Sequence, residues 1–285
     1  MSVMFCDTNC ELPYKVFESL NIELIKMPYT IGDEIKFYDL GKDWDSKDFF
    51  AQMRNGAVPK TQALNEYDYL DYFEPVLKRG EDILYVTFSH QMSGTFHQMN
   101  AAILKLKEAY PDRKISIVDS KGISMSAGIV VYYAALKHNE GASDEEVCKF
   151  VESFREKVKC HFTVGDLVYL KRGGRISALK ATMGTLLGVK PIITISDEGK
   201  LENNEKAKGR KSSIKRITDM MTDNNVDTSY PITILNADCQ EDAEFTKELI
   251  LEKYPEAEIK FHYVGPVIGS HCGPDTLGLI YVSKN

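Results

Sequence analysis

The sequence predicts an α/β protein of two domains, and three observations predict it. Up to about residue 159, short apolar, β-branched runs alternate with amphipathic helical runs, the pattern of a parallel sheet with helices on both faces. Beyond that point the strand signals come in pairs around a hairpin turn, Asp197-Glu198-Gly199, which favours a mixed sheet with helices on one side. The chain has 285 residues, 43% hydrophobic and 27% charged, enough to build two cores. The boundary is placed near residue 160, giving domains 1–160 and 161–285.

In order, residues 2–6 form a short apolar strand that runs into Asp7-Thr8-Asn9. Leu12-Pro13 opens a helix to about 20, with Pro near its first position. Residues 21–30 read as a second strand, and 31–44 as a hairpin or excursion around Gly32-Asp33. Ser46 is placed as the N-cap of a helix over 47–54, which Asn55-Gly56 ends. Residues 58–62 form a loop, Pro59 keeping Val58 extended. Asn65 caps a helix over 66–79, with Pro75 expected to kink it and Gly80 just past it. A buried strand over 83–88 leads through a polar turn into a helix ending at Ala109. A strand at 114–118, a long apolar helix over 122–138, and a capping box from Ser143 opening a helix to about 158 complete the first half.

The second half starts with a strand at 160–164, followed by 167–170 and Lys171-Arg172-Gly173-Gly174-Arg175. A small-residue helix is expected over 178–187 and strands at 190–196 and 200–203. The basic run 206–211 is read as the opening of a helix to about 221. A strand at 231–236, a helix over 241–253, a strand at 258–264, the Gly/Pro-rich stretch 265–275 and a last strand at 277–282 follow.

The formal charge of −7 argues against general nucleic-acid binding and against attraction to an anionic membrane. No run approaches the ~18 apolar residues of a membrane span, and the start lacks a basic region and apolar stretch of signal type. The six cysteines (6, 10, 148, 160, 239, 272) are scattered without a C-x-x-C pair. They read as reduced thiols of a cytoplasmic protein, and their scatter argues against zinc.

The most informative stretch is the turn Ser89-His90-Gln91-Met92-Ser93-Gly94-Thr95. It lies at the carboxyl end of a strand and the start of a helix, where α/β sheets place ligands and free N–H groups attract anions. Thr95-x-x-Gln98 is also a capping box, so the same hydroxyls serve a helix end equally well. The turn alone does not choose between them.

Several segments together resemble the DegV family of bacterial fatty-acid-binding proteins. They are Asp7-Thr8-Asn9-x-x-Leu12-Pro13, Thr61-Gln62, Ser93-Gly94-Thr95, Val118-Asp119-Ser120-Lys121, Tyr169 through Ile176, Lys190-Pro191-Ile192, and Val264 through His271. They occur in the family's order along nearly the whole chain. The resemblance implies a three-layer α/β/α domain with a parallel sheet, then a two-layer domain with a mixed sheet, the ligand lying between them. It implies a carrier, not an enzyme, that needs no cofactor or metal. The carrier holds one long-chain fatty acid and presents its carboxylate to a separate acyl kinase resembling dihydroxyacetone kinases. The same role admits a transient contact with a membrane surface.

By the resemblance, Ser93, Gly94 and Thr95 form the carboxylate-binding turn, Thr61 and His271 reach the same head group, and Arg172 stands at the pocket entrance. Thr95 is equally explained by capping. Lys208, Arg210 and Lys211 form the one dense basic run and are candidates for docking the kinase. Two departures stand out: Cys272 and Asp275 replace the family's usual Thr and Gly, and Ala63-Leu64 replaces its Pro-Ser pair. Cys272 therefore weakens the head-group contacts expected on its side. Residues 123–136 with Met183, Leu186 and Leu187 are candidates to line an apolar tunnel for the tail.

Two other classes are weighed. A serine hydrolase would use Ser93 and His271, but the turn is not a Gly-x-Ser-x-Gly elbow and no acid is evident behind His271. A nucleotide-binding domain would need a phosphate-cradling glycine loop after a strand, and neither usual form occurs.

Overall fold

A computed structural model describes residues 2–175 and 188–285, which form two compact units. The first is Met1–Trp44 with Thr61–Arg155, the second Asp45–Lys60 with Glu156–Asn285. The expected helix over 178–187, including Met183, Leu186 and Leu187, lies outside the described residues.

The first unit is a three-layer α/β/α arrangement on a parallel sheet. Its strands are β1 (Val3–Asp7), β2 (Glu23–Ile25), β6 (Ile83–Thr87) and β7 (Ile115–Asp119), in the order β2-β1-β6-β7. All three pairings are parallel. Every residue of β6 is buried, as its unbroken apolar run predicts. Helices α1 (Tyr14–Glu18), α3 (Glu66–Lys78), α4 (Thr95–Ala109), α5 (Met125–Asn139) and α6 (Asp144–Phe154) accompany the sheet. Phe73 of α3 sits edge-on to Phe5 and Tyr85, so α3 covers the face those two residues share. The expected second strand divides into β2 and β3 (Pro28–Ile31), and β3 pairs with β4 (Glu34–Phe37) as a hairpin around Gly32. A short β5 (Lys60–Thr61) adds a third strand beside β3.

Local signals are mostly realised, with corrections at helix starts. Asn65 and Ser143 form complete capping boxes. Pro75 stays inside α3 without ending it, because the cap and the buried Tyr69, Phe73, Val76 and Leu77 outweigh one missing hydrogen bond. The Thr95-x-x-Gln98 box does not form: the N-cap is Gly94, with no side-chain cap. Helix α5 starts at Met125, not at 122. Lys121 and Ser124 take φ of 52° and 55°, and a Cβ on Gly122 would lie 2.7 Å from the Ala127 nitrogen.

The second unit has two layers. Its sheet joins β8 (Val158–Thr163), β9 (Val189–Ile195), β10 (Leu201–Lys208), β11 (Ile232–Asn236), β12 (Ile259–Tyr263) and β13 (Leu277–Val282) in the order β10-β9-β8-β13-β11-β12. Among the described residues of this unit, only β11 and β12 pair in parallel. Helices α8 (Arg210–Asp223) and α9 (Gln240–Lys253) pack on one face, where Ile214, Ile217 and Ile250 meet Ile234, Leu279 and Tyr281. Strand β10 runs on through Lys208, so only the end of the basic run opens α8. Gly209, at φ 86°, makes the corner.

Helix α2 (Ser46–Arg54), encoded within the first half, belongs to the second unit. A cut at 160 would leave it in the first. Its N-cap is Asp45, not Ser46, because the carboxylate reaches the N–H groups of Lys47 and Asp48. Phe49 and Phe50 pack against the bare backbone of Gly269, and Arg54 pairs with Asp238 and Asp275. No local pattern announces contacts of such sequence separation.

Candidate functional site

In the first unit the crossover β1 to β2 goes to one side of the sheet and β6 to β7 to the other. The crevice between the carboxyl ends of β1 and β6 is the topological switch point, the usual ligand position of such sheets. The turn 89–95 lies there. Ser93 Oγ accepts from the Thr95 N–H at 3.2 Å, and Gly94 heads a fifteen-residue helix whose first amides have no side-chain cap. Nothing stands within 4 Å of where a Cβ on Gly94 would be, so a head group can reach these amides. The Thr95 N–H goes to Ser93 Oγ and the His97 N–H to the Gly94 carbonyl, so a carboxylate here would meet the Phe96 N–H and the Ser93 hydroxyl at a helix start.

Thr95 is fully buried. Its Oγ1 shares a 2.9 Å hydrogen bond with Tyr69 and donates to the Leu64 carbonyl at 3.3 Å. It therefore pins the turn to α3 and to the segment carrying Thr61. Thr61 itself is half-buried in β5. Thus the Thr95 hydroxyl is spent within the fold, while Ser93 Oγ accepts a single backbone N–H.

Two side-chain groups at this crevice were not among the expected site residues. Asp7 is buried at the end of β1 and accepts from the Asn9 N–H and the Tyr85 hydroxyl, each at 2.9 Å. Desolvation outweighs these bonds and pushes its carboxyl up to about 6. Asn9 is 3% exposed, and its Oδ1 has no hydrogen-bond partner. His90 bonds Thr87 Oγ1 at 2.9 Å and stacks on Phe96 at 4.1 Å, and burial lowers its pKa. The Asp-Thr-Asn sequence after an apolar strand is the signal that marks the first group.

In the second unit, α7 (Val168–Arg172) and α10 (Pro266–Cys272) pack together and gather Arg172, His271 and Cys272. Much of the stretch 265–275, left without an assigned element in the sequence, is thus helical. A Cβ on Gly173 would fall 2.2 Å from His271 Nδ1, and one on Gly273 2.1 Å from the Tyr169 ring, so both contacts require glycine. Burial, helped by the nearby Arg175 charge, lowers the His271 pKa to about 4, so the ring is neutral at pH 7. Cys272 Sγ donates to the Ile268 carbonyl at 3.1 Å. Arg172 ends α7 rather than lying in the Gly-Gly loop, its guanidinium 5.8 Å from the Tyr169 ring centroid.

The basic run divides. Lys208 and Lys211 are exposed, whereas Arg210 Nε donates to Asp242 at 2.7 Å and its terminal nitrogens are buried. Among the described residues no group of three or more His, Cys, Asp or Glu is placed to hold a metal ion, and no helix is long and apolar enough to cross a membrane.

With this geometry in place, comparison with known proteins is direct. The DegV family model, described as an uncharacterised protein of that family, matches residues 3–284. A DegV domain-containing protein of Clostridium perfringens is 37% identical over 281 residues, 98% of this chain and 97% of that one. A Thermus thermophilus structure, described as fatty acid binding of a DegV family protein, superposes with a TM-score of 0.85 at 25% identity. It covers 99% of both chains. The Bacillus subtilis structure described as DegV, a fatty acid binding protein, gives 0.83 at 27% identity, again over 99% of each. The chain belongs to the DegV family.

Proposed function

We propose that this protein binds one long-chain fatty acid and presents it to a separate acyl kinase. The observation that carries the reading is the start of α4 at Gly94, whose N-cap has no side chain, beside Ser93 at the switch-point crevice. It is supported by family membership and by the fatty-acid binding described for the Thermus and Bacillus relatives. Ser93 and the Gly94 turn contact the carboxylate; Thr61, His271, Arg172 and Cys272 enter as ligand contacts on the family resemblance. Thr95 acts through the turn it anchors. An apolar tunnel encloses the tail, since burying sixteen carbons at up to ~0.8 kcal/mol per CH₂ favours enclosure by on the order of 10 kcal/mol before ordering costs.

The kinase part of the proposal rests on exposed Lys208 and Lys211, a local positive patch on an acidic chain that would steer an acidic partner surface. A transient membrane contact would use Ile35 and Phe37, 60% and 55% exposed on β4. The free cysteines support a reducing, cytoplasmic setting. The hydrolase reading of Ser93 is weaker, because a histidine with a pKa of about 4 is a poor general base near pH 7.

Mass spectrometry of the purified protein, native and then denatured, tests the central claim. We expect release of one long-chain acyl group per protein and rebinding on titration. Neither a released chain nor saturable binding would overturn it.

A further inference from the structure

Several buried polar groups of the second unit have hydrogen-bonding capacity that the fold leaves unused. Asn236 ends β11 and is 0% exposed, yet neither its amide nitrogen nor its amide oxygen has a partner. Thr163 ends β8, is equally buried, and its Oγ1 also lacks one. Both residues stand opposite Leu277 of β13 in the register, so the three side chains share one face. That face is the one α8 and α9 cover, because Leu277 lies in their core, as does Ile234 two residues before Asn236.

Both helices begin at this end of the sheet. Helix α9 starts four residues after Asn236, and Arg210, the first residue of α8, donates through Nε to Asp242 in the first turn of α9. The other two guanidinium nitrogens of Arg210 are buried and unpartnered. The N-caps, Gly209 and Cys239, supply no side-chain acceptor to either helix. Among these side chains unused donors outnumber unused acceptors: a guanidinium edge and an amide nitrogen against one amide oxygen, with the Thr163 hydroxyl able to serve as either. Each such donor left unmet costs roughly as much as a lost hydrogen bond.

We infer that Arg210, Asn236 and Thr163 form a binding site for a small oxyanion of the phosphate class, held between the starts of α8 and α9. The neighbouring acids do not fill it. Asp242 takes the Nε edge, while Asp238 and Asp275 are held by Arg54. Cys239 donates its thiol to the Thr276 carbonyl at 3.3 Å, and burial pushes it up to about 12, so it adds no negative charge. A planar guanidinium edge suits two oxygens of one anion. Asn236 and Thr163 then meet its remaining oxygens through an N–H and an O–H.

The test is titration of the full-length protein with inorganic phosphate, by calorimetry and thermal melting, against chloride at matched ionic strength. Saturable binding at one site and a phosphate-specific rise in melting midpoint are expected. Asn236→Leu and Arg210→Gln should each weaken phosphate at least tenfold, and Lys215→Gln, exposed on α8, should not. Asn236→Leu should also hold or raise the melting midpoint without phosphate, since it removes an unpaired buried amide. Fatty-acid release by these variants should be unchanged, which separates this site from the proposed function. Absence of saturable binding at tens of millimolar, or binding that neither variant weakens, overturns the inference. A crystal structure grown in phosphate decides if the variants do not fold. A tetrahedral anion on the Arg210 nitrogens supports the site; water alone, or an adventitious ion only, elsewhere on the surface, refutes it.

Discussion

Ser93 and Thr95 stand two residues apart and do different work. The Thr95 hydroxyl is spent inside the first unit on Tyr69 and the Leu64 carbonyl, whereas Ser93 accepts one backbone N–H and keeps its own proton to donate. A charge-assisted hydrogen bond is worth roughly 1.5–3 kcal/mol, so Ser93→Ala should weaken fatty-acid binding about 10- to 100-fold in a fluorescence titration, with little change in melting midpoint. A midpoint drop with unchanged affinity would mean that Ser93 only supports the turn. Asp7 makes a second residue-level prediction. Its pKa is raised from 3.8 to about 6, so its contribution to stability is fully present below 3.8 and lost as pH rises through 6. His161 and His271, lowered to about 4, act oppositely: their contribution is present above 6.5 and lost as pH falls through 4. The difference between Asp7→Asn and the parent isolates the carboxylate. The variant's advantage in urea should grow by up to ~3 kcal/mol between pH 4 and 7, and a flat difference would contradict the buried charge.

Elements in this protein are joined at glycines that admit another element's backbone or ring. Gly128 of α5 faces the Cys10 carbonyl, Gly173 faces His271, and Gly273 faces Tyr169. The His271 ring leaves no room for a Cβ at Gly173, so Gly173→Ala should push His271 out of place and loosen α7 against α10, costing about 1–3 kcal/mol. Denaturant unfolding should show the loss, together with a rise in the His271 pKa by NMR as the ring gains water. An unchanged pKa would place the strain elsewhere. Helix starts show how far local reasoning reaches. Asn65 and Ser143 were legible because a capping box is complete within four residues. The supposed box at Thr95 was not, since its hydroxyl finds Tyr69, 26 residues away in sequence. Apolar runs likewise announced β6 and β13, which are wholly buried, but missed the division of 21–30 into two strands.

At the level of the whole molecule, the net charge of −7 makes an exposed basic patch conspicuous to a partner. Charge reversal at Lys208 and Lys211 together should slow association with the acyl kinase at low salt and flatten its salt dependence, while fatty-acid affinity is unchanged. Surface plasmon resonance across a salt series reads this, and unchanged on-rates would remove docking from the proposal. Arg210 is left out of that pair because its charge is committed to Asp242.

The sequence by itself determined the fold class, most strands and the turn at 89–95, because these depend on periodicity, caps and apolar runs encoded within a few residues. The ordered motifs determined the family by the same token. Only the tertiary structure decided that α2 belongs with the second unit, that the Thr95 hydroxyl is spent on Tyr69 and the Leu64 carbonyl, and that Arg210 turns to Asp242. Each of these rests on contacts between residues far apart in the chain. Burial and hydrogen-bond partnership are properties of neighbours in space, which no local pattern records.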